Sequence, residues 1–390
     1  MSADLLLSRP TTIAHPMQPT RRHFITTAAG MTAIGALPTW AQPGTSSRGI
    51  AVVQIADMSA GQIDVSKDFL AGSRTAWQEI NAKGGLRGKP VQHQIVELDG
   101  STSSLHGAID NIKNQSQPVA LFGTVGASAA AQVSELLRRD APDLAQIAPW
   151  LHKPNTIRGD NSFAIFASRQ SQIDHAVKSL SVMGVTSLGA VYATAAEFAG
   201  YRDDMESTAR ALKLQLKHYG PVGDLQQLGK TLAPDSPRIL IFLGGTPELI
   251  EFTQGIGKQT SQRYIVAMSD VNLQTLAQLG ANRQAAVIAT QVVPMVNANA
   301  PIVRSYREAM GRYLDEPPTT LSLAGYLAAR YTYEVLQGLD AAPTRASVLA
   351  ALQRRGSVDL GGFRIDLDGK RSTGAFVTQS MISTDGRLVG

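Results

Sequence analysis

The chain has 390 residues, 43% of them hydrophobic and 17% charged, which supports a sizeable buried core and excludes a disordered or low-complexity chain. At about 100–200 residues per domain, this length predicts two or three domains. There is no cysteine, which excludes disulfides, thiolate metal sites and a cysteine nucleophile, and the net charge of +5 is too mild and too scattered, without interleaved aromatics, for a nucleic-acid surface.

The first segment reads as an export signal. Arg21-Arg22 is followed by His23-Phe24, then by an uncharged stretch of small and apolar residues ending at Thr39-Trp40-Ala41. The arginine pair before Phe24 resembles a twin-arginine signal, with cleavage expected after Ala41; Met17 is an alternative start, and an uncleaved membrane anchor is the competing reading. Cleavage removes three arginines and one aspartate and leaves a net charge of +3.

From Gly49 onward, strands and helices alternate. "GIAVVQIA" (49–56) predicts a buried strand, and 66–85 a helix whose apolar face carries Phe69, Leu70, Trp77 and Ile80, closed by Gly84-Gly85. Strands follow at 90–100, 118–123 and 143–150, with helices at 104–115 and 127–140 between them. The pattern then restarts: helix 171–184, strand 187–194, helix 198–213, strand 214–221, helix 224–233, strand 238–245, helix 246–259, and strands at 263–270 and 287–293. Two late helices, 301–314 and 320–339, precede a tail of period two that reads as a β-hairpin around Asp368-Gly369. Trp77 and the tyrosines from Tyr326 to Tyr333 read as packing, and His93, His106, His175 and His218 as scattered and solvent-facing. Such alternation predicts an α/β protein with two doubly wound parallel-sheet lobes and a ligand cleft at the carboxyl ends of the strands.

The turns at those strand ends hold the candidate site. In "GTVGAS", Gly123 to Ser128, main-chain N–H groups at a helix start favour an anion, and Ser128 as a simple helix cap is the alternative. The turn lacks the lysine of a phosphate loop, and no Gly-x-Gly-x-x-Gly fingerprint is present, so a carboxylate fits better than a nucleotide. Asp99-Gly100-Ser101-Thr102 reads as a helix cap. Trp150 either stacks on a ligand or plugs the cleft, and Asp270 either accepts from a ligand ammonium or caps the helix of Leu273 and Leu276. His152 has no second histidine at ligand spacing, which excludes a metal there, and the absence of a Gly-x-Ser-x-Gly elbow argues against a serine hydrolase of that type.

The stretches "FLAGSRTAWQEINAKGGLRGKPVQ", "ELDGSTS", "ALFGTVGAS" and "PIVRSYREAMGRYLDEPPTTLSLAGYLAARYTYEVLQGL" resemble the periplasmic substrate-binding proteins of ABC transporters, Leu/Ile/Val-binding type, over nearly all of 49–390. The resemblance implies two lobes, 48–167 with 295–352 and 168–294 with 353–390, joined by three crossovers, hinge closure on a small-molecule solute, and no catalysis or cofactor. It further implies a periplasmic monomer that delivers its ligand to an ABC permease of the inner membrane; a sensor of the same fold and a nucleotide-dependent enzyme are the rival readings.

Position by position, the resemblance puts Ala127 where a serine usually meets the ligand carboxylate, with Ser128 one later, and Trp150-Leu151-His152 where a threonine hydroxyl is usual. Phe198 stands at an aromatic position, Thr246 at that of a tyrosine, and Asp270 at that of the acid that grips an α-ammonium. Val65 lines the pocket wall, and Val125 is a first-lobe contact. Two carboxylate donors are thus missing, each worth about 1–3 kcal/mol, or roughly one to two decades of affinity. The expected solute is larger, more apolar or aromatic than a branched-chain amino acid: an amino-acid-like, amide or aromatic carboxylate ligand stacked on Trp150.

Overall fold

The wholly buried β1 (Ala51–Asp57) lies inside the first of two large sheets: Val52 and Ala56 face one layer of helices, and Val53 and Ile55 the other. The computed structural model describes residues 49–126, 128–150, 161–221, 223–257, 262–280, 285–354, 356–367, 376–382 and 388–389. The export-signal segment 1–41 therefore lies outside the described residues.

After β1 come α1 (Ile63–Ala82), β2 (Gln92–Leu98), α2 (Thr102–Asn114), β3 (Pro118–Phe122), α3 (Ala129–Asp140), β4 (Ala145–Ile147) and β5 (Ser162–Phe163). The strands form a parallel sheet in the order β2-β1-β3-β4-β5. The restart continues with α4 (Arg169–Val182), β6 (Ser187–Tyr192), α5 (Ala195–Ala211), β7 (Gln215–Tyr219), α6 (Leu225–Lys230), β8 (Ile239–Leu243), α7 (Thr246–Gly255), β9 (Tyr264–Ala267), α8 (Leu273–Gln278) and β10 (Ala286–Gln291). Its parallel strands run β7-β6-β8-β9-β10, repeating the order of the first sheet. In both sheets the order reverses beside the first strand, which opens a crevice at the carboxyl edge.

The chain then returns to the first sheet. Helices α9 (Pro301–Tyr313), α10 (Thr320–Gln337) and α11 (Arg345–Arg354) share a core with α1. Two glycines allow α1 and α10 to cross at backbone contact. A Cβ on Gly72 would lie 1.6 Å from the Ser322 carbonyl oxygen, and one on Gly325 1.9 Å from that of Phe69. Buried Tyr326 seals the crossing by donating to Glu79 at 2.5 Å, as expected of a packing tyrosine.

The tail departs from expectation. Strands β11 (Ser357–Asp359) and β12 (Arg364–Asp366) form a hairpin that turns at Gly361-Gly362, not at Asp368-Gly369, which lies outside the described residues. Ile302 donates to the Gly361 carbonyl at 3.1 Å, and Leu360, Phe363 and Ile365 join the first core. The hairpin thus packs on the first lobe, although the sequence placed everything after 353 with the second. Among the described residues, β13 (Thr378–Ile382) and β14 (Leu388–Val389) add antiparallel strands to the second sheet, β13 pairing with β10. Three passages between the sheets result: β5 to α4, β10 to α9, and β12 to β13. Three short elements, β5, α11 and β14, have no counterpart among the elements expected from the sequence. His93 is likewise not solvent-facing: it sits between Trp77 and Phe122, within 2.9 Å of the Gln54 side-chain oxygen, and burial followed by the Arg74 charge pulls its pKa down to about 3.

Candidate functional site

The carboxyl ends of β4 and β9 bring a tryptophan of one lobe to an aspartate of the other. Past β4, Trp150 donates its main-chain N–H to the Thr124 carbonyl at 2.8 Å, which ties it to the turn after β3. Phe69 packs edgewise on its indole and Phe166 packs tilted against it, at centroid distances of 5.8 and 5.2 Å, and only 4% of the residue is exposed. The indole therefore plugs the crevice in this state. Its Nε1–H donates to Asp270 Oδ1 at 2.8 Å, joining the lobes.

Asp270 does not cap the following helix. Asn272 does, its side-chain oxygen accepting from the N–H groups of Gln274 and Thr275. The second Asp270 oxygen accepts from Arg169, the first residue of α4, whose helix is capped by Ser168. Arg169 also donates to both oxygens of Glu197 at 2.7 Å and lies over the Tyr201 ring, 5.3 Å from its centroid. Burial alone would lower the guanidinium's pKa, but the Asp270 and Glu197 charges more than offset this and raise it above its ordinary value.

A second bond spans the lobes beside the first. Asn272 donates through Nδ2 to Asp68 Oδ2 on α1 at 2.9 Å, and Gln274 donates to the Pro318 carbonyl at 3.0 Å. Burial pushes the Asp68 carboxyl up to about 6; hydrogen bonds from Thr319 and Asn272 oppose the shift, and the Glu316 and Asp64 charges add to it. Between these bonds lies a cavity of about 180 Å³ bordered by Val65, Lys67 and Asp68 from one lobe and Thr246, Asp270 and Asn272 from the other. A larger hollow of about 650 Å³, lined by Met58, Arg74, Glu97 and Tyr313 among others, lies wholly on the first lobe.

Of the sequence-predicted residues, Val65, Thr246 and Asp270 meet at this cavity, and Trp150 reaches it through Asp270. Thr246 Oγ1 accepts from the Asn272 main-chain N–H at 2.9 Å, which orders the strand-end turn. Val125 is fully buried, with its N–H and C=O both paired to β1, so its amide is engaged by the core. Ser128 is exposed at the start of α3 and makes no side-chain cap bond, whereas Ser101 does cap α2 as expected. Phe198 lies within α5 against Tyr192, with Arg202 over its ring. Its neighbour Glu197 is the residue that reaches Arg169. Ala127, Leu151 and His152 lie outside the described residues.

Arg169, Glu197, Asp68 and Asn272 escaped the sequence reading. One signal could have found Arg169: a cation in the first turn of a helix opposes the helix dipole and is favoured there only when an acid lies nearby. Which acid, only the fold reveals.

The family model described as Periplasmic binding protein matches residues 49–384. No curated protein sequence matches the chain. Among solved structures, an extracellular ligand-binding receptor from Verminephrobacter eiseniae superposes with a TM-score of 0.78 at 20% identity, covering 88% of this chain and 100% of its own. A fatty acid ABC transporter substrate-binding protein from Thermomonospora curvata gives 0.76 at 15% identity, with 89% and 92% covered. A branched-chain amino acid transporter substrate binding protein from Streptococcus pneumoniae, in complex with isoleucine, gives 0.73 at 16% identity, with 88% and 98% covered. At such identities these structures share the fold, and the family match, spanning most of the length, carries the conclusion: this chain belongs to the periplasmic binding protein family.

Proposed function

We propose that the chain is the exported solute receptor of an ABC importer. It binds a small amino-acid-like, amide or aromatic carboxylate ligand between its lobes and presents the closed form to an inner-membrane permease, without catalysis. The single observation that carries this reading is the interlobe cluster, in which Trp150 and Asp68 of one lobe hydrogen-bond Asp270 and Asn272 of the other around a shared cavity. A ligand shifts an open–closed equilibrium only through contacts that differ between the two states, and a solute there touches both lobes. The larger hollow touches one lobe and supplies no such difference. The neighbours' names fit the same role: one is called a fatty acid ABC transporter substrate-binding protein and another was solved with isoleucine. Segment 1–41 supplies the export signal, removed after Ala41, and the receptor acts in the periplasm as a monomer.

The test is a thermal-shift panel of amino acids, amides, and aliphatic and aromatic acids, followed by small-angle scattering with any hit. One chemical class should raise the melting temperature and compact the particle; ligand at a hundred times its Kd stabilises by about 2.7 kcal/mol. A panel without a single stabilising compound, or a hit that is turned over, would reject the reading.

A further inference from the structure

We infer that Arg169 is the specificity-determining residue, and that the site recognises a carboxylate lacking an α-ammonium group, which takes the place of Glu197 on the guanidinium. This rests on the reading of the chain as a solute receptor and names the ligand class of that site.

Asp270, the acid at the ammonium-gripping position, is already engaged at both oxygens, one by the Trp150 indole and the other by Arg169. An arriving ammonium must displace the guanidinium or crowd a second cation onto the same carboxylate in a water-poor crevice. An arriving carboxylate that displaces Glu197 leaves the charge around the guanidinium unchanged, and Lys67 offsets part of the Asp64 and Asp68 charge that it passes in the cavity. The planar fork of Arg169 is a bidentate partner for carboxylates, and its second arm already holds one, that of Glu197.

The two acids around Arg169 differ in freedom. Asp270 is buried beyond the end of β9, with its side chain 8% exposed. Glu197 stands in the first turn of α5 with its side chain 19% exposed, so it can turn into water without stranding a buried charge. A ligand carboxylate replacing it keeps the charge inside the crevice unchanged. It also occupies a place beside the start of α5 that the helix dipole favours for an anion. The Tyr201 ring beneath the guanidinium holds the fork in place; Arg169 lies behind Asp270, which borders the cavity, and Val65 and Leu321 in that cavity offer apolar surface to the rest of the solute.

The experiment is isothermal titration of the purified protein with matched pairs: 4-methylpentanoate against L-leucine, and 3-phenylpropanoate against L-phenylalanine. In at least one pair the deaminated acid should bind about tenfold or more tightly than its amino acid. Glu197→Gln, a change at a partly exposed position, should tighten the acid several-fold by removing the competitor, and Arg169→Gln should weaken it by about a hundredfold. An amino acid binding as tightly as its acid in both pairs, or an acid indifferent to Glu197→Gln, overturns the inference. So does binding of neutral amides alone, although the receptor reading then stands. Silence across acids, amino acids and amides defeats both.

Discussion

Replacing Asp270 by Asn keeps an acceptor for the Trp150 indole but removes the charge that Arg169 faces. Two unit charges about 4 Å apart attract by ~4 kcal/mol at an effective dielectric of about 20. Desolvation of both groups takes back part of that, and Glu197 at 2.7 Å remains as a second anion for the guanidinium. Asp270→Asn should therefore cost ~1.5–3 kcal/mol. Arg169→Met leaves two carboxylates facing each other without their shared cation and should cost ~3–5 kcal/mol. If the ion pair acts as a unit, the double variant costs less than the sum of the singles by ~1–3 kcal/mol. Urea unfolding midpoints at constant slope measure all three. Additivity within ~0.5 kcal/mol would falsify the claim that this ion pair organises the second-lobe side of the site.

Other consequences are as direct. Of the two tryptophans in the described residues, Trp77 is buried away from the cavity and Trp150 bonds across it, so Trp150→Phe should remove most of any ligand-induced fluorescence change; retention of the full change excludes Trp150 from the site. The Asp68 carboxyl, raised to about 6 from 3.8, takes up its proton more readily in the folded state, so its contribution to stability is greatest at low pH and is lost as pH rises through 6. Asp68→Asn should stabilise the protein at pH 7 and abolish that part of the profile, read from thermal midpoints between pH 4 and 7. His93, pulled down to about 3, acts with the opposite sign, its contribution falling as pH drops below 6.5, so the Asp68 effect is read as the difference between variant and wild type. Gly325→Ala places a methyl 1.9 Å from the Phe69 carbonyl oxygen and should cost at least ~1–3 kcal/mol; an unchanged melting temperature would show that α1 and α10 can move apart freely.

Local chemistry alone determined the alternation of strands and helices, the two lobes and the strand ends where a ligand would sit. Those features follow from residue period, from glycines and caps within a few positions of one another, and from the continuous apolar runs of strands buried on both faces. "AVVQIAD" is a buried strand whatever its neighbours are. Asp270 as a strand-end acid and Ser101 as a cap were legible in the same way. What Asp270 does was not. Its partners, Arg169 and Trp150, lie 101 and 120 residues away, and the Asn272–Asp68 bond spans 204. A charge pair at such separation leaves no periodicity in the chain; it exists only once both sheets have placed their carboxyl edges together. The tail failed for the same reason, since period two predicts a strand but not which sheet will hydrogen-bond it. Tertiary structure decided that β11 and β12 pack on the first core while β13 joins the second sheet. It also decided that the acid expected to await an ammonium is already matched by a guanidinium, because only burial forces a charge to find its partner.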